Sequence, residues 1–205
     1  MDNQCKKPRG WLGRLLLRNM NQRHSRLTDW GLSHISVGAR DIVLDIGCGG
    51  GRTIAKHAAK ATEGKVFGID HSETSVATST KTNEALVREG RVEVRQGSVS
   101  ALPYPDASFD LVTAVETHFF WPNLPGDVRV VHRVLRPGGR FILIAEIYRG
   151  APTAVSRLAE KHLAVSGMNL LTPDEHRQLL EQAGFSNVQI DTQPSRGWIC
   201  AVGTR

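Results

Sequence analysis

The chain has 205 residues, 40% hydrophobic and 22% charged, which suits one domain with a sizeable core and excludes a disordered or fibrous chain. Its formal net charge is +6, yet residues 1–40 carry eight Lys and Arg against Asp2 and Asp29, whereas residues 41–205 carry eighteen of each sign. The excess is therefore an amino-terminal arm and not a basic surface spread over the globule.

Residues 1–40 precede the first strand and are expected to be helical. Trp11, Leu12, Leu15, Leu16 and Met20 recur at helical spacing, so an amphipathic helix is expected there. Lys6, Lys7 and Arg9 resemble the start of a signal peptide, but Arg14 and Arg18 interrupt the apolar part and no small-residue cleavage site follows, so none is expected. From residue 41 short β-branched runs alternate with helical stretches. Strands are expected at 42–46, 65–70, 91–96, 109–115 and 140–147, with helices at 52–61, 72–88 and 127–135 between them. Residues 153–166 read as a helical insertion without a strand of its own. Thr172-Pro173-Asp174-Glu175 is a helix start, with a cap, a proline at the first position and acids in the first turn. Gly184 ends that helix, and 187–192 with 198–203 form an antiparallel pair around the turn at Pro194–Gly197. The whole predicts an α/β fold: a doubly wound, mainly parallel seven-stranded sheet with its last strand antiparallel. Residues 1–40 are expected to form a lid segment and 41–205 a single domain, with an insertion near 149–171.

No apolar run reaches the length of a membrane span; the longest clean one is Phe141–Ala145. Cys5, Cys48 and Cys200 have no metal-ligand or redox spacing. A cytoplasmic protein without a metal is expected.

The chemistry is concentrated in Val43-Leu44-Asp45-Ile46-Gly47-Cys48-Gly49-Gly50-Gly51. Glycines after a first strand let the chain turn sharply and let a ligand lie on backbone at the next helix. Asp70 closes the second strand 25 residues after Asp45, where a carboxylate can accept hydrogen bonds from both hydroxyls of a ribose. Arg52 stands where a nicotinamide fingerprint needs its third glycine. Asp45, just before the turn, opposes a pyrophosphate and suits a ligand carrying ammonium and sulfonium charge. Each position has a plainer reading beside this one. The glycines can make only a tight turn, Asp70 can cap the next helix, Asp45 can be a solvated acid, and Cys48 can be a small buried residue.

Through VLDIGCGGG (43–51), VFGID (66–70), LPYPDASFDLV (102–112) and LRPGGRFIL (135–143) the sequence resembles the class I S-adenosylmethionine-dependent methyltransferases, notably small bacterial members. The resemblance implies methyl transfer from S-adenosyl-L-methionine, with S-adenosyl-L-homocysteine as product, to an unidentified acceptor that is expected to be a small molecule. It places Asp45, Gly47, Cys48 and Gly49 at the methionine end of the cofactor, Asp70 on the ribose and His71 near the adenine. Gly97, Ser98 and Val99 follow strand three; Ser98 stands where many relatives carry an acid, leaving the backbone of Ser98 and Val99 to serve. Glu116 falls where the family makes backbone contacts to the methionine moiety. His118 is the preferred general base, with Tyr148 after strand five a second catalytic candidate. Asn21 and His24 are expected to reach the cofactor carboxylate or the acceptor from the lid, and His162 and Met168 to help form one. RNA methylation through the basic arm and a non-catalytic cofactor-binding module are the alternatives.

Overall fold

The alternation of β-branched and helical runs assembles, in the computed structural model, into a twisted sheet between two helical layers. The structure describes residues 25–154, 156–158, 160, 168 and 170–205. In chain order the elements are α1 (Ser25–Leu32), β1 (Ile42–Ile46), α2 (Arg52–Ala58), β2 (Lys65–Asp70), α3 (Glu73–Thr82), α4 (Glu84–Arg88), β3 (Val92–Gln96), β4 (Phe109–Val115), α5 (Leu124–Val134), β5 (Leu135–Ala145), α6 (Pro173–Gln182), β6 (Ser186–Gln193) and β7 (Trp198–Thr204). The seven strands lie in the order β3-β2-β1-β4-β5-β7-β6. The first five are parallel, and β7 runs antiparallel to both its neighbours. The strand order reverses direction between β1 and β4, and a crevice opens there at the carboxyl ends of the strands, the usual ligand site of such sheets.

Strand alternation divides the core in two. Leu44, Val112, Phe141, Leu143 and Ala201 face α5 and α6, where Leu124, Val128, Val131, Leu179 and Leu180 are buried. Their chain neighbours Val43, Leu111, Ile142, Ile144 and Cys200 face the opposite way, against Leu27 and Leu32 of α1 and Ile54 and Ala58 of α2. A side-chain period of two thus makes each strand serve both layers.

The structure refines several expected boundaries. The helix expected over 72–88 is two, because the Asn83 side-chain amide donates back to the Ser79 carbonyl at 2.9 Å and across to the Gly51 carbonyl at 3.0 Å. β5 starts at Leu135 and not Arg140, with Leu135 pairing to Phe109 ahead of a register shift. Thr172 and Glu175 form the expected reciprocal cap: the Glu175 N–H donates to Thr172 Oγ1 at 3.2 Å and the Thr172 N–H to Glu175 Oε2 at 2.8 Å. Of the insertion, residues 154, 156–158 and 160 are helical; His162 lies outside the described residues, and Met168 packs beside Phe119 and Tyr148. Among the described residues no helix is long and apolar enough to cross a membrane.

The expected lid segment of residues 1–40 is described only from Ser25 onward. Residues 1–24, with the amphipathic stripe, lie outside the described residues. Residues 25–35 belong to the core: Leu27, Leu32 and Ile35 are buried, and a Cβ on Gly31 would stand 2.4 Å from Ile144 Cδ1. α1 packs on β5 and β7 and cannot swing away without opening that layer. Leu27→Ala should therefore lower unfolding free energy by about 2–5 kcal/mol, as for other buried leucines, measured by urea titration of the full chain.

Candidate cofactor site

The site is built where β1, β2 and β4 end. β1 leaves the sheet through Gly47, whose left-handed φ of +71° favours glycine, and a Cβ there would stand 2.3 Å from Thr117 Oγ1. The turn closes at Gly51, again left-handed (φ +80°), where a Cβ would meet Ser79 Oγ at 2.5 Å. Asp70 fastens the turn from the next strand. Its Oδ2 accepts from the Gly49 N–H at 3.0 Å, and its Oδ1 from the Ser72 N–H at 2.9 Å. The cap of α3 is Ser72, whose hydroxyl accepts from the Ser75 N–H, so Asp70 is not itself the helix cap.

A cavity of about 260 Å³ lies over this turn. Asp45, Gly47, Cys48, Gly49, Asp70, His71, Gly97, Ser98, Val99 and Glu116 all line it, so the structure brings together ten of the residues singled out from sequence. Ser98 caps the short 3₁₀ turn at Val99–Ala101, its hydroxyl accepting from the Ser100 N–H at 3.2 Å. Glu116 holds a left-handed backbone (φ +57°), uncommon for a residue with a side chain, and its Oε1 accepts from the Glu146 N–H. Sequence reasoning did not single out Thr53 and Ser75 as site residues, nor Thr28, which reaches the cavity from α1. Thr117, Phe120, Trp121 and Pro122 complete one wall.

Asp45 is buried at the base of the cavity. Burial pushes its carboxyl from the ordinary 3.8 to about 7; the Thr113 hydrogen bond opposes this and the nearby Asp70 charge adds to it. The Thr113 hydroxyl donates to Asp45 Oδ1 at 2.6 Å. That bond follows from register, since Asp45 on β1 lies directly beside Thr113 on β4. Burial, with the charges of Asp70 and Asp45, pushes the Cys48 thiol well up, so Cys48 is a neutral packing residue and not a nucleophile.

The two catalytic candidates lie elsewhere. His118 is completely buried against Phe119 and His176, outside the cavity lining, and burial together with His176 holds it well below its ordinary value. After the left-handed Glu116, Thr117 lines the cavity and His118 packs in the core. Tyr148 is likewise buried, in the cluster of Phe119, Ala145 and Ile147, and does not line the cavity. Asn21 and His24 lie outside the described residues.

The reversed strand order and the glycine turn, with Asp70 at the same crevice, define a Rossmann-like α/β protein. Residues 44–143 match the family described as a methyltransferase domain. The chain belongs to the class I S-adenosylmethionine-dependent methyltransferases. It is 34% identical over 163 residues to the 27-O-demethylrifamycin SV methyltransferase of Amycolatopsis mediterranei, covering 78% of this chain and 60% of that protein. The chain thus spans 60% of the length of the curated relatives that it matches over the longest stretches. Among solved structures it resembles a chain of the Haloferax volcanii complex between the Trm112 methyltransferase activator and a methyltransferase, with TM-score 0.79, 21% identity and coverage of 92% of each chain. It also resembles an S-adenosylmethionine-dependent methyltransferase from Aquifex aeolicus, with TM-score 0.73, 17% identity and coverage of 93% of this chain and 97% of that one.

An acid whose folded value is raised costs stability as it ionises. The folded chain binds the Asp45 proton more tightly than the unfolded one, so stability falls as pH rises from about 4 to about 7 and levels off above. Asp45→Asn should therefore be more stable than wild type by roughly 2–4 kcal/mol at pH 8. The gain should vanish near pH 4, as read by denaturant unfolding at both pH values.

Proposed function

We propose that this chain transfers a methyl group from S-adenosyl-L-methionine to a nucleophilic atom of a small-molecule acceptor, with S-adenosyl-L-homocysteine released. One observation carries the reading: a glycine turn at the end of β1, the Asp70 carboxylate at the end of β2 and the buried Asp45 share one cavity. These residues fit the cofactor. The left-handed turn keeps side chains off the surface on which a nucleoside lies, Asp70 keeps acceptor capacity for ribose hydroxyls, and Asp45 offers a negative charge to the methionine end. Bound there, the cofactor supplies a methyl group already activated by its sulfonium charge.

The protein's own task is then orientation and exclusion of water. Val115, Phe120, Trp121 and Pro122 form a largely apolar wall beside the turn, and Thr28 closes toward it from α1. With His118 packed in the core, the lining presents Glu116 and His71, beside the Asp45 and Asp70 carboxylates assigned to the cofactor, as groups able to take a proton from an acceptor. A small-molecule acceptor is supported by the printed name of the Amycolatopsis relative, an O-methylating enzyme of a small molecule. The reading includes a reducing, cytoplasmic setting, supported by the free buried thiols of Cys48 and Cys200.

Calorimetry with S-adenosylhomocysteine and with NAD tests the cofactor, and methyl-labelled cofactor in fractionated extract tests the acceptor. Stoichiometric binding of the first, none of the second and label in the small-metabolite fraction are expected; label in RNA would overturn the acceptor class. Asp70→Ala should weaken S-adenosylhomocysteine by about ten- to a hundredfold through lost charge-assisted hydrogen bonds. Unchanged affinity would mean that Asp70 serves only to fasten the turn.

A further inference from the structure

Behind the cavity floor lies a buried polar chain with no role in the preceding account. His57, on α2, is fully buried between the helix and the sheet, and its Nε2 stands 3.3 Å from Thr113 Oγ1. The Thr113 hydroxyl in turn donates to Asp45 Oδ1 at 2.6 Å. A threonine hydroxyl has one proton, and here it goes to the carboxylate. Nε2 must therefore carry its own proton and donate it to Thr113. The other ring nitrogen, Nδ1, is buried and has no partner among the described residues, which suits the bare nitrogen of a neutral imidazole. Burial, helped by the Lys60 charge, holds His57 down at about 3, so the ring stays neutral at any working pH. The chain is directional: ring N–H to hydroxyl, hydroxyl to carboxylate.

We propose that His57 is a positioning residue: acting through the Thr113 hydroxyl, it keeps the Asp45 carboxylate ionised and oriented at the cavity floor, ready for a positively charged ligand. The inference rests on the cofactor reading above. A hydroxyl that accepts a hydrogen bond is a stronger donor, so the ring sharpens the bond that Asp45 receives. The arrangement also leaves the hydroxyl no free proton with which to turn away. Several other groups bear on the pair. Asp70 on β2 and the Cys48 thiol face Asp45, Lys60 faces His57 from beyond α2, and Arg52, His71 and Glu116 stand on the cavity wall. None of these lies between His57 and Asp45 in the hydrogen-bonded chain.

The test is a carboxyl ¹³C NMR titration of Asp45 in the cofactor-free full chain, for wild type, His57→Phe and His57→Gln. His57→Phe removes the donor, and the Asp45 midpoint should rise by about one pH unit, as for loss of a hydrogen bond to a buried carboxylate. His57→Gln returns an N–H and should bring the midpoint most of the way back. S-adenosylhomocysteine affinity by calorimetry should follow, falling about tenfold in His57→Phe at pH 6.5 and little at pH 9, where Asp45 is ionised in every variant. If His57→Phe does not fold, His57→Met removes the same donor with a more adaptable side chain, leaves Thr113 in place and should raise the midpoint in the same way. An Asp45 midpoint equal to wild type in a folded variant lacking the link overturns the proposal. Failure of wild type to bind S-adenosylhomocysteine at any pH overturns the cofactor reading instead, and the titration still decides the role of His57.

Discussion

One carboxylate fastens the site together. Asp70 accepts from the Gly49 N–H with one oxygen and from the Ser72 N–H with the other, joining the turn after β1 to the start of α3. Without those bonds both backbone N–H groups would lack a partner beside a cavity, and the run of five residues containing four glycines would be left to the Gly47 and Cys48 N–H groups on the Ile69 carbonyl and the Gly51 N–H on the Cys48 carbonyl. The Gly51 end is fixed separately, by the Asn83 amide on its carbonyl. Everything that the cavity can do depends on this loop being held in one shape before a ligand arrives.

The site is correspondingly dense in buried polar groups. Asp45, Thr113, His57, Ser75, Ser79 and Asn83 all lie beneath or beside the turn, in a region where a purely structural core would be apolar. Most of α3 is polar for the same reason: it turns Ser75 and Ser79, not leucines, toward the glycines, because side chains any larger would fill the space into which the turn must fit. Stability is given up locally for a defined surface, and the two apolar layers on either side of the sheet offset it.

What was legible in the sequence is what local chain chemistry determines. The glycine run, Asp70 after a β-branched strand and the Thr172–Glu175 cap are short-range patterns, and each appears in the structure where it was expected. The partners of those residues were not legible. Thr113 meets Asp45 only through the register of β1 with β4, and His57 joins them only through the packing of α2, so 56 residues of chain separate ring from hydroxyl. The burial of His118 away from the cavity was not legible either, because spacing counts residues and does not give direction. A single left-handed residue, Glu116, decides which of the next two side chains faces the cavity. The stripe of Trp11–Met20 lies outside the described residues, while the next segment, α1, packs on the sheet through Leu27 and Leu32.

The placement of β7 has a consequence for how the chain is made. β6 touches the sheet only through β7, and β7 slots between β6 and β5, the strand with the most apolar segment of the molecule. On a ribosome, β5 emerges more than fifty residues before β7, so its outer edge stays open throughout that interval, and β6 arrives with nowhere to dock. The nascent protein is thus most prone to sticking to its neighbours late in translation, after the cofactor turn is already complete.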